Sequence, residues 1–145
     1  MADTDMTEAE REAFLAGLHV GVLSIARRGK GPLALPIWYL YARGEVLLSM
    51  SGSSVKANLL RKRVRATLTV QQEAPPYRYV MVEGPVTLAP YDPDTKEIDT
   101  KELATRYLGA EMGAWYAKHN PPSKDSVVAR LVPEQWLTVD YSKVM

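Results

Sequence analysis

The hydrophobic and polar positions change period several times along the chain, and each change marks an element. Thr7 and Glu10 stand at capping-box spacing, and Ala9, Ala13, Phe14 and Leu18 follow at helical intervals, which predicts a short opening helix. From His19 the texture becomes GVLSIARRGKGPLALPIWYLYARGEVLLSMS, with breaks at Gly29-Lys30-Gly31-Pro32 and at Arg43-Gly44. Branched and aromatic runs between such breaks predict three antiparallel strands joined by two hairpins.

Ser53 or Ser54 is placed to cap a helix from Val55 to about Arg63, and Arg65 to Gln71 reads as a fourth strand. After the interruption at Ala74-Pro75-Pro76, Tyr79 to Leu88 returns to strand texture, with a bulge or bend expected at Gly84-Pro85. Asp92-Pro93 offers a capping acid and a first-turn proline for a third helix running to about His119. Its apolar stripe would be Leu103, Tyr107, Leu108, Met112, Trp115 and Tyr116. Asn120-Pro121-Pro122 ends it, and Ser126 to Val139 supplies the closing strand, irregular at Pro133. About six strands and three helices in this order predict a mainly β protein, an antiparallel barrel with one helix inserted after its third strand. The barrel is expected to occupy residues 1–145 as a single domain.

A chain of 145 residues can bury a core of its own, and 46% hydrophobic with 24% charged residues excludes disorder. The longest nearly apolar run, Leu33 to Ala42, is about half of the roughly 20 residues that cross a bilayer. The first residues, Met1 to Glu12, are acidic and polar where a secretory signal needs a basic start. Cysteine is absent, which removes disulfides, thiolate metal sites and a cysteine nucleophile, and the expected location is the cytoplasm. A net charge of +1 gives no global attraction to nucleic acid or membrane, so any anion must be met by a local cluster.

Neither His19 nor His119 belongs to a metal-ligating motif, and no metal is expected. Nucleophile elbow, dinucleotide fingerprint and P-loop are all missing, so a bound cofactor would carry any difficult chemistry. No side chain stands out as a catalytic acid or base. The best constellation is Ser49-Met50-Ser51-Gly52-Ser53-Ser54-Val55-Lys56, continuing to Arg61-Lys62-Arg63. There a strand passes through a hydroxyl-rich turn into a helix start, whose free amides and dipole favour an anion, with Lys56 and Arg61 adding full charge. The plainer alternative is a capped helix with a solvated basic face. Aromatic residues at Trp38-Tyr39-Tyr41 and Tyr77-Arg78-Tyr79 form a second constellation, suited to a flat pocket or equally to core packing.

Taken together, G-V-L-S-I-A, L-P-I-W-Y-L-Y, S-x-x-S-S-V-K-A-N-L-L-R, E-A-P-P-Y-R-Y-V and V-E-G-P-V resemble the pyridoxamine 5'-phosphate oxidase-like split-barrel family, in its flavin- or deazaflavin-dependent oxidoreductase branch. The likeness covers roughly residues 10 to 90; beyond Asp92 it is one of layout. It implies a six-stranded antiparallel split barrel of the FMN-binding type, a homodimer with cofactor sites at the interface, and FMN or coenzyme F420 as cofactor. Carried onto this sequence, the phosphate falls on Ser49, Ser51, Ser54 and Lys56, with Arg61 as an addition, and Trp38 lies where the family's backbone passes the ring edge. The chain departs from the common pattern at Ser54, where many members carry arginine, and in Leu59-Leu60-Arg61-Lys62-Arg63-Val64. The function implied is hydride transfer between the cofactor and a small organic substrate, with neither nucleic acid nor membrane as partner. A non-catalytic flavin-binding or sequestering protein would use the same residues, and a nucleic-acid-binding barrel would instead use the basic helix.

Overall fold

The computed structural model describes residues 2–95 and 97–145. Helix α1 spans Glu8–Ala16, with Thr7 and Glu10 closing a reciprocal capping box. It stops two residues short of Leu18, which is exposed. Phe14 and Leu15 are its buried residues, and they join the main hydrophobic core.

The strands are β1 (Gly21–Ile25), β2 (Leu33–Ile37), β3 (Leu40–Ala42), β4 (Glu45–Ser51), β5 (Arg65–Gln72), β6 (Arg78–Pro90), β7 (Ser126–Leu131) and β8 (Gln135–Asp140). All pairings are antiparallel, in the order β2-β1-β5-β6-β7-β4-β3, with β8 also on β6. The count is therefore eight rather than six, because two expected strands are each divided. The run from Leu33 to Ala42 leaves the β1 ladder after Ile37 and joins the β4 ladder at Leu40. Trp38 and Tyr39 thus bridge the two ends of the sheet path and close it through the chain rather than through hydrogen bonds. The closing run likewise breaks around Pro133, giving β7 and β8 on successive stretches of β6.

Strand β6 is the spine. Its ladder with β5 runs unbroken from Arg78 to Pro85, so Gly84-Pro85 is not a bulge there. On the other edge β6 exchanges β8 for β7 at this point. A Cβ on Gly84 would lie 1.8 Å from the Val132 carbonyl oxygen, so only glycine lets the β7–β8 connection cross so closely. Arg43 and Gly44, both with positive φ, form the two-residue turn between β3 and β4.

The barrel interior is filled by alternating positions such as Leu23, Ile25, Leu48, Leu68, Val70, Val80, Val82 and Leu131. Helix α2 (Val55–Arg63) adds Ala57 and Leu60 to this core. On β4 the successive residues Val46, Leu47 and Leu48 are all buried, because its outer face is covered as well. Leu47 packs there with Val128, Ile98 and Leu103 of α3 (Thr100–Leu108).

The third helix begins later than Asp92-Pro93 predicts. The Asp92 carboxylate instead accepts from the amide of Asp94 at 2.8 Å in a local turn, while Asp99 caps α3 through the amides of Lys101 and Glu102. The helix also breaks at Gly109, and α4 (Ala110–His119) follows. The expected continuous stripe is consequently divided: Leu103 is buried, whereas Met112 and Trp115 stand on the surface. A short 3-10 helix, Tyr141–Val144, ends the chain. Among the described residues no helix is long and apolar enough to cross a membrane.

Candidate functional site

Strand β4 ends at Ser51, and Gly52, Ser53 and Ser54 turn the chain into α2. Ser54 is the N-cap: its Oγ accepts from the Ala57 amide at 3.2 Å and donates to the Ser51 carbonyl at 2.6 Å. The amides of Val55 and Lys56 have no hydrogen-bond partner among the described residues and stand at the positive end of the helix. No acid lies in the first turn of α2, and Arg61, Lys62 and Arg63 occupy its last turn.

Beside this turn lies an open groove of about 590 Å³, within the range of small-molecule sites. Pro36, Ile37 and Trp38 form one part of its wall, and Ser49, Met50 and Ser51 of β4 form another. Tyr116, Asn120, Ser123 and Ser126 reach it from α4 and the start of β7. The groove therefore carries both an aromatic surface and a row of hydroxyls.

Trp38 is held by stacking. Its ring lies nearly parallel to Tyr107, 5.0 Å between centroids, and is flanked by Tyr116 at 5.3 Å with a 54° tilt. The Tyr107 hydroxyl donates to the His19 carbonyl at 2.6 Å and accepts from the Tyr39 amide at 3.3 Å. Burial pushes the Tyr107 phenol upward, so it remains a neutral hydrogen-bonding post. Helix α3 thus fixes the link between β2 and β3 that closes the barrel.

The structure distributes the sequence-expected residues unevenly. Trp38, Ser49 and Ser51 line the groove, and the Ser49 hydroxyl makes no hydrogen bond to a described residue. Ser54 sits behind it as the helix cap. Lys56 is half-buried in the first turn of α2, with no ion-pair partner among the described residues. Arg61 folds back on the turn, its Nη1 donating to the Gly52 carbonyl at 2.7 Å and to Asn58 Oδ1 at 2.9 Å. It braces the turn's backbone.

Of the aromatic constellation only Trp38 lines the groove. Tyr39 is buried in the core and donates to the Leu15 carbonyl at 2.8 Å, while Tyr41 donates to Glu12 Oε1 at 2.7 Å. Tyr77 is exposed, Arg78 pairs with Asp140 at 3.3 Å, and neither they nor Tyr79 lines the groove. Both histidines stack on aromatic rings, His19 on Phe14 and His119 on Trp115, and burial pushes His19 below its usual value.

Sequence reasoning missed Asp125. Its Oδ2 accepts from the hydroxyls of both Ser51 and Ser53 at 3.1 Å, and its Oδ1 accepts from Ser123. These hydroxyls, Ser123 foremost, hold the carboxyl below the usual carboxylate range. Tyr107 and Tyr116 were visible as members of a helical stripe, but nothing local assigned them to Trp38.

The sequence profile described as Pyridoxamine 5'-phosphate oxidase matches residues 7–139. Among solved structures, the conserved hypothetical protein Rv2991 from Mycobacterium tuberculosis superposes with a TM-score of 0.80 at 23% identity, covering 99% of this chain and 91% of that one. An F420 reductase gives 0.66 at 20% identity, covering 87% and 94%. An FAD and heme binding protein from Mycobacterium smegmatis gives 0.68 at 14%, covering 96% and 73%. At these identities the likeness establishes the split-barrel fold. No curated protein sequence matches the chain.

Proposed function

This chain belongs to the pyridoxamine 5'-phosphate oxidase family, and from that premise we propose that it is a homodimeric oxidoreductase that binds FMN or coenzyme F420 and moves a hydride between that cofactor and a small organic substrate. The observation that carries the reading is a single groove lined by both Trp38 and the hydroxyls of Ser49 and Ser51, beside the amino terminus of α2. Similarity to an F420 reductase and to an FAD and heme binding protein supports a redox cofactor of the flavin type.

In this reading the cofactor's phosphate is met by the free amides of Val55 and Lys56, the Lys56 ammonium, and the hydroxyls of Ser49 and Ser51. Ser54 fixes the helix start, and Arg61 holds the turn through the Gly52 carbonyl. Trp38, made rigid by Tyr107, offers the ring system a flat neighbour. The bound cofactor would supply the hydride donor or acceptor. The groove's described lining is aromatic, aliphatic, amide and hydroxyl, so the chain's own part is to orient the ring and exclude water.

The second copy is assigned to the outer face of the sheet. Cross-strand register aligns Pro36, Val22, Thr69, Met81 and Leu137 in one outward row across β2, β1, β5, β6 and β8. Val22 and Leu137 are 38% and 50% exposed, and Pro36 also lines the groove. A partner on this row would extend the groove's open side.

The test is titration of the purified protein with FMN, F420 and riboflavin, followed by turnover assays. A charge-assisted bond to phosphate is worth roughly 1.5–3 kcal/mol, so Lys56→Ala should weaken FMN and F420 by about ten- to over a hundredfold and spare riboflavin. Equal losses for riboflavin and FMN, or none for either, would refute the assignment. Tight binding without turnover toward any hydride donor would leave a flavin carrier instead.

A further inference from the structure

Resting on the cofactor reading above, we infer that Asp125, at the turn beside the groove, penalises a doubly charged phosphomonoester more than a singly charged phosphodiester. The hydroxyls of Ser51 and Ser53 each own one proton; both oxygens stand 3.1 Å from Asp125 Oδ2 and 3.0 Å from one another, so at least one of the two protons is held by the carboxylate. Ser123 donates to the other oxygen. The turn that would cradle a phosphate is thus already engaged by an anion belonging to the chain.

The placement is made by the backbone rather than by a side-chain rotamer. The β4–β7 ladder ends on the pair Ser51↔Ser126, and the Gly52 amide continues it by donating to the Asp125 carbonyl at 2.8 Å. A Cβ on Gly52 would stand 2.2 Å from that carbonyl oxygen, so the close approach requires glycine. Asp125 therefore faces the turn because the sheet delivers it there.

An entering phosphate must either displace this carboxylate from three hydroxyls or settle beside it. Displacement costs every anion the same hydrogen bonds. Repulsion, in contrast, grows with the ligand's charge, and a phosphomonoester carries about −1.5 to −2 near neutrality where a diester carries one. Two cations stand by the turn to offset it: Lys56, free of ion pairs among the described residues, and Arg61, whose hydrogen bonds to the Gly52 carbonyl and Asn58 Oδ1 leave its charge intact. Asp125 therefore subtracts more from the affinity of the doubly charged ligand than from that of the singly charged one.

The experiment compares FMN, riboflavin 4',5'-cyclic phosphate and riboflavin on the full-length wild type and on Asp125→Asn, with Asp125→Ala as a second variant and circular dichroism to verify folding. These ligands share one ring and differ in phosphate charge. Removing the carboxylate charge should tighten FMN by about tenfold, the cyclic diester by about threefold, and riboflavin hardly at all. Equal gains for all three would mean that the loop had merely relaxed, and weaker binding of all three would make Asp125 a ligand; either overturns the inference. Unchanged FMN affinity in both variants, with the wild type binding FMN normally, rejects the inference alone. If folded wild type and both variants do not bind FMN, and the titration proposed above finds no binding of F420 either, the cofactor reading fails and the inference falls with it.

Discussion

Replacing Gly52 by alanine probes stability and site together. Gly52 is buried, and its amide donates to the Asp125 carbonyl at 2.8 Å. The added methyl would begin 2.2 Å from that oxygen, whereas ordinary van der Waals contact starts at 3.4 Å, so the loop must retreat by more than an ångström. A bond lengthened that far leaves hydrogen-bonding range, at a loss of about 0.5–1.5 kcal/mol. Overpacking against backbone adds about 1–3 kcal/mol, and the reduced freedom of the unfolded chain returns about 0.4–1 kcal/mol. The net is about 2 kcal/mol, or about 6–8 °C in Tm for a domain of this size. Thermal unfolding followed by circular dichroism reads the shift, and an FMN titration on the same samples reads the displacement of Asp125 from Ser51 and Ser53. A Gly52→Ala protein melting within about 2 °C of wild type would show that the β4–α2 turn and the Asp125 loop are not packed as described.

Other outcomes are equally concrete. Trp38→Ala should alter the bound cofactor's absorption spectrum while weakening its affinity less than Lys56→Ala does; the reverse ranking in a folded protein would move the site away from the α2 turn. Glu10 is held at about 2 against an ordinary 4.5, chiefly by the Lys143 ammonium and then by the Thr7 amide. A depressed carboxyl contributes its stability above the unfolded value and loses it as pH falls through the folded one, so Glu10→Gln should flatten the dependence of Tm on pH between about 4.5 and 2. An unchanged slope would remove Glu10 from acid unfolding. Light scattering should give a dimer for the wild type and a monomer for Leu137→Glu, since a charge in the middle of an apolar interface of more than about 2,000 Å² would be left unpaired; a wild-type monomer at micromolar concentration would count against the second copy.

The elements that depend on neighbours a few residues away were legible in the chain. Thr7 and Glu10 complete their box, Ser54 caps α2, and Arg43-Gly44 turns a hairpin, because each interaction closes within three residues and needs no distant partner. Local rules failed where a local bond was satisfied differently: Asp92 has a capping side chain, but it closes a turn on Asp94, and Asp99 starts the helix. Likewise, Leu33 to Ala42 reads as one strand because side-chain pattern carries no record of which ladder each half joins.

The tertiary structure alone decided the site's composition. The hydroxyls of Ser49 and Ser51 and the ring of Trp38 come to one groove because barrel closure folds the β2–β3 link against the end of β4. Tyr107 reaches Trp38 only after the helical excursion returns across the barrel. Asp125 lies 74 residues from Ser51, and its charge meets that hydroxyl solely because the β4–β7 register ends on Ser51↔Ser126. The sequence determined that a serine-rich turn leads into a basic capped helix; which charges surround that turn is set by long-range strand pairing, which composition and periodicity do not encode.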